Sequence, residues 1–388
     1  MIFKNATLYL ENEVLENAWL KITGEKIVDF GVGDKFKEAI DLKDKMVVPG
    51  FIDQHIHGAK GFDTMDATIE SLENIAIALS KEGVTSFLAT TITQSEENIC
   101  KALKNAASYI DQYNYKGAEV LGIHLEGPFV SKEYAGAHIP MFIQSPSVAQ
   151  FKKYQKAAGN HIKIVTLAPE EDDAYQLITY LQENHVVASI GHSNAKYEEV
   201  EQAVKHGATN ITHCYNAMRG IHHREVGVLG AAMLLEPLKA EIICDGIHVQ
   251  KEAVRLLYHQ KKEKGMILIT DAMRAKGLKE GTYELGGQSI VVKENEARTE
   301  KGNLAGSVLF MEAGIKNIID YTGCTLLEVV KMASENPAKQ IGIYHRKGSI
   351  QQGKDADLVI LDKHYHIHMS ICRGQICYRK GGQGHENH

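Results

Sequence analysis

The 388-residue sequence lacks several features that would place it in a special class. It has only 7 prolines and no low-complexity tract, and 44% of its residues are apolar, so it can form one large core. It has no excess of positive charge either: 43 basic and 49 acidic side chains give a net charge of −6. This balance argues against a general binder of nucleic acids or anionic membranes. A phosphorylated small molecule, which needs only a few local donors, remains compatible with it.

Cysteine motifs, membrane segments and targeting signals are also missing. The six cysteines include no Cys-x-x-Cys pair, and Cys372 and Cys377 do not have zinc-site spacing. No apolar run reaches transmembrane length, and the first residues lack the apolar segment of a secretory signal. We therefore expect a cytoplasmic protein with free thiols.

Eight short apolar runs predict strands that are buried on both faces, as in a parallel sheet. They lie at residues 46–52, 84–90, 119–125, 162–168, 186–190, 209–213, 240–245 and 266–270. Segments with helical spacing separate most of the runs, and the segment 308–323 follows the eighth. Eight alternating strands and helices predict an α/β fold, a (β/α)8 TIM-like barrel. A doubly wound sheet is the competing fold, but the Gly-rich dinucleotide loop expected after its first strand is missing.

The two ends of the chain do not follow the barrel rhythm. Residues 1–46 and 345–380 alternate like short antiparallel strands and are predicted to form one small β-sandwich domain. The catalytic barrel then spans 47–344, and 381–388 is expected to be a disordered tail. Residues 276–303 are predicted to form a hairpin insertion after the eighth strand, with turn signals at Gly281 and at 286–287.

Two histidines, His55 and His57, follow the first predicted strand in "VVPGFIDQHIHG" (47–58). Residues i and i+2 of a strand point to the same face, so both imidazoles would project towards the barrel axis at its mouth. Neutral imidazoles held there can share one metal ion. A pair of hydrogen-bonded core histidines is the alternative, but candidate ligands at other strand ends favour a metal site.

Strands three, five and six end in Glu126, His192 and His213. In a (β/α)8 barrel the C-terminal strand ends meet at one mouth, where the active site lies. A carboxylate buried there must find a cation or strong donors, because burying it alone is costly. One carboxylate and two imidazoles with room for water are typical of an open, catalytic divalent metal site.

The last two strands add further candidates. Asp271 closes strand eight in "LITDAM", where it could accept a proton from the attacking water and deliver it to a leaving group. A metal-ligand or helix-capping role is the alternative and is compatible with proton transfer. His248, in "CDGIHV", lies away from the expected ligands. Spacing alone favours a substrate-orienting role and a packing role about equally.

Six segments in chain order carry a family resemblance. "VVPGFIDQHIHG", "HLEGPF", "IGHS", "THCYNAM", "DGIH" and "TDAM" together resemble the amidohydrolase superfamily. "GSIQQGKDADLVILD" is similar to the C-terminal β-sandwich segment of that superfamily. Within it, "HLEGPF" has Glu126 where many relatives carry a bridging lysine. With "THCYNAM" and "DGIH", this resembles the branch that deacetylates N-acetylglucosamine 6-phosphate.

The resemblance implies an enzyme that hydrolyses N-acetylglucosamine 6-phosphate to glucosamine 6-phosphate and acetate, in amino-sugar catabolism or cell-wall sugar recycling. It implies a homodimer with one or two divalent ions per subunit (Zn, Fe, Mn or Co). Glu126, His192 and His213 would hold the main ion, and His55 and His57 a second.

The resemblance also implies roles for the remaining site residues. Asp271 would be the general base and acid, and His138 would polarise the acetyl carbonyl. Substrate contacts are implied for Ala137, His138, Asn216, Ala217, Arg224, His248, Leu304, Ala305 and Gly306. Arg224 and His248 are the candidates for contacts made by the neighbouring subunit of the dimer.

Two other readings stay open at this point. Another amidohydrolase, such as a cyclic-amide hydrolase or a purine aminohydrolase, would share the barrel, the metals and the base. The bridging lysine expected in many such enzymes is missing from the end of strand four, "LAPE". A non-catalytic barrel serving as a scaffold would be expected to have lost ligands or the base, and this chain retains both.

Overall fold

The computed structural model describes residues 1–112 and 116–381. Eight parallel strands form its central sheet, in chain order around the barrel. They are β5 (Phe51–Ile56), β8 (Val84–Thr91), β9 (Glu119–Glu126), β10 (Ile162–Leu167), β11 (Val187–Ile190), β12 (Ala208–Ile211), β13 (Lys239–Ile243) and β14 (Met266–Ile269). The amide N–H of Asp271 donates to the carbonyl of His55 (2.8 Å) and joins the first strand to the eighth at the mouth. The predicted (β/α)8 barrel is confirmed.

Helices cover the outside of the barrel. Their bounds are α1 (Ile69–Ser80), α2 (Glu96–Gln112), α3 (Val148–Ala157), α4 (Ala174–Glu183), α5 (Tyr197–His206), α6 (Gly227–Leu234), α7 (Lys251–Lys261), α8 (Met311–Thr322), α9 (Leu326–Val330) and α10 (Asn336–Gln340). Helix α8 lies within the predicted helical segment 308–323, whereas α9 and α10 were not predicted. A π-helical turn at Lys331–Glu335 connects the last two. In the described part of the chain, no helix combines the length and apolarity needed to cross a membrane.

The run 46–52, predicted as one strand, is divided between two sheets. Its first half ends β4 (Ile40–Pro49), which belongs to a second sheet formed by the two chain ends and called the small sheet below. Its second half begins β5 in the barrel. Gly50 separates them, and a Cβ atom built on it would lie 2.0 Å from the Thr85 hydroxyl oxygen. The chain therefore crosses from one sheet to the other at a point where only glycine fits. The periodicity of the sequence cannot show this contact, because Thr85 belongs to the next barrel strand.

The two chain ends pair in one seven-stranded sheet. Its order is β20 (Gln375–Arg379), β19 (Ile367–Cys372), β18 (Leu358–Leu361), β4, β1 (Ile2–Tyr9), β2 (Val14–Thr23) and β3 (Lys26–Val32). Backbone hydrogen bonds join Ile27 to Lys354 and Ala356 to Glu25, so the sheet curls back towards its C-terminal half. Buried side chains from both ends of the chain share one apolar cluster inside it. Of the predicted tail 381–388, residues 382–388 lie outside the described residues.

The predicted insertion after the eighth strand is a three-stranded antiparallel sheet. It consists of β15 (Gly281–Leu285), β16 (Gln288–Lys293) and β17 (Glu296–Thr299). Its first turn lies at 286–287 as predicted, whereas Gly281 begins a strand. A further two-stranded hairpin, β6 (Gly58–Ala59) and β7 (Phe62–Asp63), follows the first barrel strand. Leu285 of the insertion reaches the cavity at the barrel mouth.

A buried ionic cluster fastens the small sheet to the bottom of the barrel. The Lys347 ammonium is 1% exposed and lies 2.8 Å from Oε2 of Glu119, the first residue of β9, and it also contacts Asp357. Arg346 binds both oxygens of Glu119, at 2.7 and 3.1 Å. Burial alone would raise the pKa of Glu119, but Lys347 and Arg346 lower it to about 2. The carboxylate is therefore ionised, and each charge in the cluster depends on its partners.

We expect Glu119→Gln to lower the free energy of unfolding by about 3–5 kcal/mol at pH 7, because removing one partner leaves buried charges uncompensated. A carboxyl pKa lowered by folding stabilises the protein above its unfolded value of about 4.3. That contribution is lost as the pH falls through about 2. Urea unfolding at several pH values measures both effects.

Glu97→Gln is the control for this prediction. Glu97 forms an exposed ion pair with Lys101 one helical turn away, so its replacement should leave the urea midpoint unchanged. An equal shift of the midpoint in the two variants would contradict the role given to Glu119.

Candidate metal centre and active site

The candidate ligands lie at the C-terminal ends of the barrel strands. His55 lies within β5, Glu126 ends β9, and His192, His213 and Asp271 each lie two residues beyond the end of their strand. The last three have left-handed backbone conformations, with φ values of 48°, 29° and 48°. Such conformations are unfavourable for residues with a Cβ atom and cluster at functional sites. All three residues lie just beyond the strand ends, and their side chains are buried at the mouth.

The carboxylate of Glu126 is the centre of this cluster. Its Oε1 atom lies 3.1 Å from Nε2 of His213 and 3.4 Å from Nε2 of both His192 and His55. Its Oε2 atom lies 3.2 Å from Nε2 of His57. One carboxylate therefore faces four imidazoles from strands one, five and six. Glu126 thus lies between the two predicted ligand groups.

Asp271 lies on the side of the first-strand histidines. Its Oδ1 atom is 3.2 Å from Nε2 of His57 and 3.4 Å from Nε2 of His55. Burial alone would raise the pKa of Asp271, but electrostatic interactions with the nearby rings of His55 and His57 lower it to about 2. Asp271 is therefore ionised at neutral pH and can accept a proton.

Hydrogen bonds on the outer side of two rings fix their tautomers. Nδ1 of His192 lies 2.8 Å from the Tyr134 carbonyl oxygen, and Nδ1 of His55 lies 3.0 Å from Oε2 of Glu241. Because a carbonyl and an ionised carboxylate can only accept, we assign the proton to Nδ1 in both rings. The lone pair on Nε2 then points into the cluster in both rings. This is the arrangement of a metal-ligating histidine.

The cluster fits a divalent cation. Nε2 of His55 and Oδ1 of Asp271 are buried without a hydrogen-bond partner, and they lie 3.4 Å apart. Three sets of three side chains have ligand atoms close enough to hold one ion: His55–His57–Asp271, Glu126–His138–His192 and, beneath them, His55–His124–Glu241. Imidazole and carboxylate ligands suit zinc, iron, manganese or cobalt.

His138 lies beside the cluster in a neutral state. Its Nδ1 atom is 2.6 Å from the Thr93 hydroxyl, and its Nε2 atom is 3.2 Å from Nε2 of His192. Burial lowers the pKa of His138, and repulsion from His192 lowers it further, well below the ordinary value. A neutral imidazole at this position can donate a hydrogen bond to a substrate oxygen without adding a charge.

A cavity of about 500 Å³ opens at this mouth. Most of the predicted site residues line it: His57, Glu126, Ala137, His138, His192, His213, Asn216, Ala217, His248, Asp271, Leu304 and Gly306. His248 reaches the cavity of its own chain and is held by Asp245, whose Oδ2 atom lies 2.6 Å from its Nδ1. The cavity also contains Glu133, Tyr134, Arg298 and Asn303, which were not predicted.

Three predicted residues do not line the cavity. His55 is fully buried beneath it. Ala305 is also buried, and its N–H donates to the Ala297 carbonyl, so it supports the wall formed by its neighbours. Arg224 is exposed on the loop that precedes α6, and its guanidinium lies 2.8 Å from Nε2 of His223. The cavity of its own chain therefore does not account for the predicted contact between Arg224 and the substrate phosphate.

Sequence reasoning missed a polar layer beneath the ligands. Glu241 lies within β13, fully buried, and contacts His55, while His124 of β9 packs against the His55 ring with centroids 4.5 Å apart. The one visible signal was an acidic residue inside the apolar run "AEIICD" (240–245). A charged side chain within a strand buried on both faces must point to a polar partner.

Residues 46–379 match the model of the amidohydrolase family, so the chain belongs to this family, and the predicted resemblance is confirmed. It is 45% identical over 385 residues to the N-acetylglucosamine-6-phosphate deacetylase of Bacillus subtilis (strain 168), covering 97% of each chain. It is 37% identical to the N-acetylgalactosamine-6-phosphate deacetylase of Escherichia coli O157:H7, covering 86% of this chain and 88% of that one.

A solved structure resembles the whole chain. It is a mutant N-acetyl-D-glucosamine-6-phosphate deacetylase from Mycobacterium smegmatis in complex with N-acetyl-D-glucosamine-6-phosphate. It superposes with a TM-score of 0.92 at 31% identity, and covers 97% of this chain and 99% of that chain. Both terminal segments and the barrel mouth therefore lie within the matched region.

We expect Glu126→Gln to lose most of the bound divalent metal, because an amide is a weaker ligand and cannot balance the positive charge of a cation. Elemental analysis after dialysis against metal-free buffer should show at least a tenfold drop in metal per chain. Glu133→Gln is the control, because Glu133 lines the same cavity without contacting the histidine cluster. Equal metal content in the two variants would contradict the central position of Glu126.

Proposed function

We propose that the protein is a metal-dependent hydrolase that removes the N-acetyl group of N-acetylglucosamine 6-phosphate, giving glucosamine 6-phosphate and acetate. The observation that carries this proposal is the convergence of Glu126, His192, His213 and Asp271 on one cavity. The relatives support the substrate, since the Bacillus subtilis protein has this activity in its name. Retention of all four groups argues against the scaffold reading.

The acetamide would lie between Asp271 and His138. Glu126, His192 and His213 would hold one divalent ion, with His55 and His57 available for a second. The ion would supply Lewis acidity, which activates water and polarises the amide carbonyl. His138, neutral and 96% buried, would donate a hydrogen bond to the carbonyl oxygen where negative charge develops.

Asp271 would carry the proton. As water adds to the carbonyl carbon, a carboxylate oxygen of Asp271 takes the proton of that water, because the group is ionised. As the C–N bond breaks, the same group returns the proton to the departing amine, which leaves as a neutral amino sugar. The carboxylate ends in its starting state.

Release of acetate is the direct test of the proposed reaction. The purified protein, loaded with Zn²⁺, Fe²⁺, Mn²⁺ or Co²⁺ in separate samples, is assayed for acetate and for ammonia with a panel of N-acetyl amino-sugar phosphates. Acetate without ammonia supports a deacetylase, whereas ammonia would indicate an aminohydrolase. The panel includes N-acetylgalactosamine 6-phosphate, because the Escherichia coli relative bears that substrate in its name. Failure to release acetate with every metal would contradict the proposal.

We expect Asp271→Asn to reduce kcat at least 100-fold while KM changes by no more than a few fold, because an amide cannot accept the proton. Steady-state kinetics with N-acetylglucosamine 6-phosphate measures both constants. Metal content is measured in parallel, since Asp271 also lies within ligand distance of His55 and His57. Near-full turnover in a metal-loaded variant would remove Asp271 from the proton-transfer role.

We further propose that the active unit is a cytoplasmic homodimer in which Arg224 of one chain contacts the substrate phosphate in the cavity of the other. Arg224 lies on an exposed loop outside the cavity of its own chain, and Ile221 on the same loop is 52% exposed. A guanidinium can bind two phosphate oxygens at once. The cytoplasm is supported by the six cysteines, which are all free.

A mixed dimer tests this arrangement. Arg224→Ala should raise KM for the phosphorylated sugar, because it removes a phosphate contact, and should barely affect an unphosphorylated one. If Arg224 acts across the dimer, mixing Arg224→Ala chains with Asp271→Asn chains assembles one site with both native groups and restores low-KM turnover. If Arg224 acts within its own chain, every mixed site lacks one group and no restoration is measured.

A further inference from the structure

One buried carboxylate, Glu241, has no part in the proposed chemistry. It belongs to β13, is 0% exposed and does not line the cavity. Its position is on the interior of the barrel, below the ligands. A carboxylate buried at this depth is costly unless its oxygens are fully hydrogen-bonded or paired with a cation.

Four donors surround the two oxygens of Glu241. Oε1 accepts from the Gln54 side-chain amide at 2.7 Å and from the Asn210 side-chain amide at 3.0 Å. Oε2 accepts from Nδ1 of His55 at 3.0 Å and from the backbone N–H of His213 at 3.2 Å. Within residues 1–112 and 116–381, no lysine or arginine forms an ion pair with it.

The identity of these donors shows what the carboxylate holds together. His55 is a candidate ligand from strand one, and His213 is a candidate ligand from strand six. A single oxygen atom, Oε2, binds the ring of the first and the backbone of the second. The relative position of two candidate ligands, one from each group, therefore depends on one side chain that does not line the cavity.

We propose that Glu241 is a positioning residue of the metal centre. It holds His55 in the tautomer whose Nε2 atom binds metal, raises the basicity of that nitrogen through the Nδ1–H bond, and ties His55 to His213. This inference rests on the proposed metal-dependent function, although its test requires no substrate.

The variant Glu241→Gln removes the negative charge of the side chain and keeps its size and shape. Its carbonyl oxygen can still accept from His55 and His213, and its amide would face Gln54 and Asn210. Oε1 of Gln54 and Oδ1 of Asn210 are both buried without a hydrogen-bond partner, so these side-chain amides can rotate and present their oxygens to the new donor. The substitution therefore removes the negative charge while a hydrogen-bonded arrangement remains available.

The Zn²⁺ dissociation constant of the metal-stripped protein is measured by competition with a chelating dye. We expect it to rise 10- to 100-fold in Glu241→Gln, the range typical for groups that orient metal ligands. Glu82→Gln is the matched control, because Glu82 is also buried but contacts Lys276 (2.5 Å) and the Met311 N–H instead. That variant should bind Zn²⁺ within threefold of the unchanged protein.

A dissociation constant within threefold of the unchanged protein in Glu241→Gln would overturn the proposal, even if the variant unfolds at a lower temperature. Glu241→Asp is the second variant and decides the matter if the first does not fold. It keeps the charge but withdraws the carboxylate, so Zn²⁺ should bind more weakly than in the unchanged protein and more tightly than in Glu241→Gln.

Kinetics distinguish this inference from the proposed function. If the deacetylase assay succeeds, Glu241→Gln at saturating Zn²⁺ should reduce kcat and leave KM nearly unchanged, because Glu241 does not line the cavity. If the assay fails with the unchanged protein, the Zn²⁺ measurement still supports or overturns the role of Glu241.

Discussion

The arrangement of the barrel mouth depends on the attraction that two buried carboxylates and the imidazoles facing them share for one divalent cation. Glu126 and Asp271 lie within 3.4 Å of four histidine nitrogens, at a depth where an isolated charge would be very unfavourable. A divalent cation at the same point would interact favourably with all of these groups, because each offers a lone pair.

The strand ends supply the geometry that this interaction needs. In a barrel, eight strands bring residues that are far apart in sequence to one rim, and left-handed residues end three of those strands. His192, His213 and Asp271 therefore combine an unfavourable backbone conformation with a buried polar side chain. Such strain persists only where the surrounding structure holds it. At the opposite end of the barrel, the buried ion pair of Glu119 and Lys347 contributes to a rigid scaffold that can hold these strained residues in place.

Much of this arrangement could be predicted from the sequence because it follows from local rules. Same-face spacing identified His55 and His57, and the polar residue after each apolar run identified Glu126, His192, His213 and Asp271. What could not be predicted depends on contacts between distant segments. Gly50 divides a continuous apolar run because Thr85 approaches it. Arg224 is suited to bind phosphate by its chemistry, but its place outside the cavity follows from the path of a loop.

Glu241 shows why a buried charged residue in an apolar run is informative. Apolar periodicity alone interprets "AEIICD" as a strand and gives the carboxylate no role. The cost of burying that carboxylate, however, requires four donors, and the barrel supplies them from Gln54, Asn210, His55 and His213. Two of these donors belong to the candidate metal ligands. A barrel filled with apolar side chains at this level would avoid the cost of burying polar groups, but it would leave the ligand histidines free to change tautomer and orientation. The polar layer therefore lowers the stability that packing provides, but it fixes the direction of the histidine lone pairs. Fixed lone pairs are useful to a protein that must hold a cation in one place.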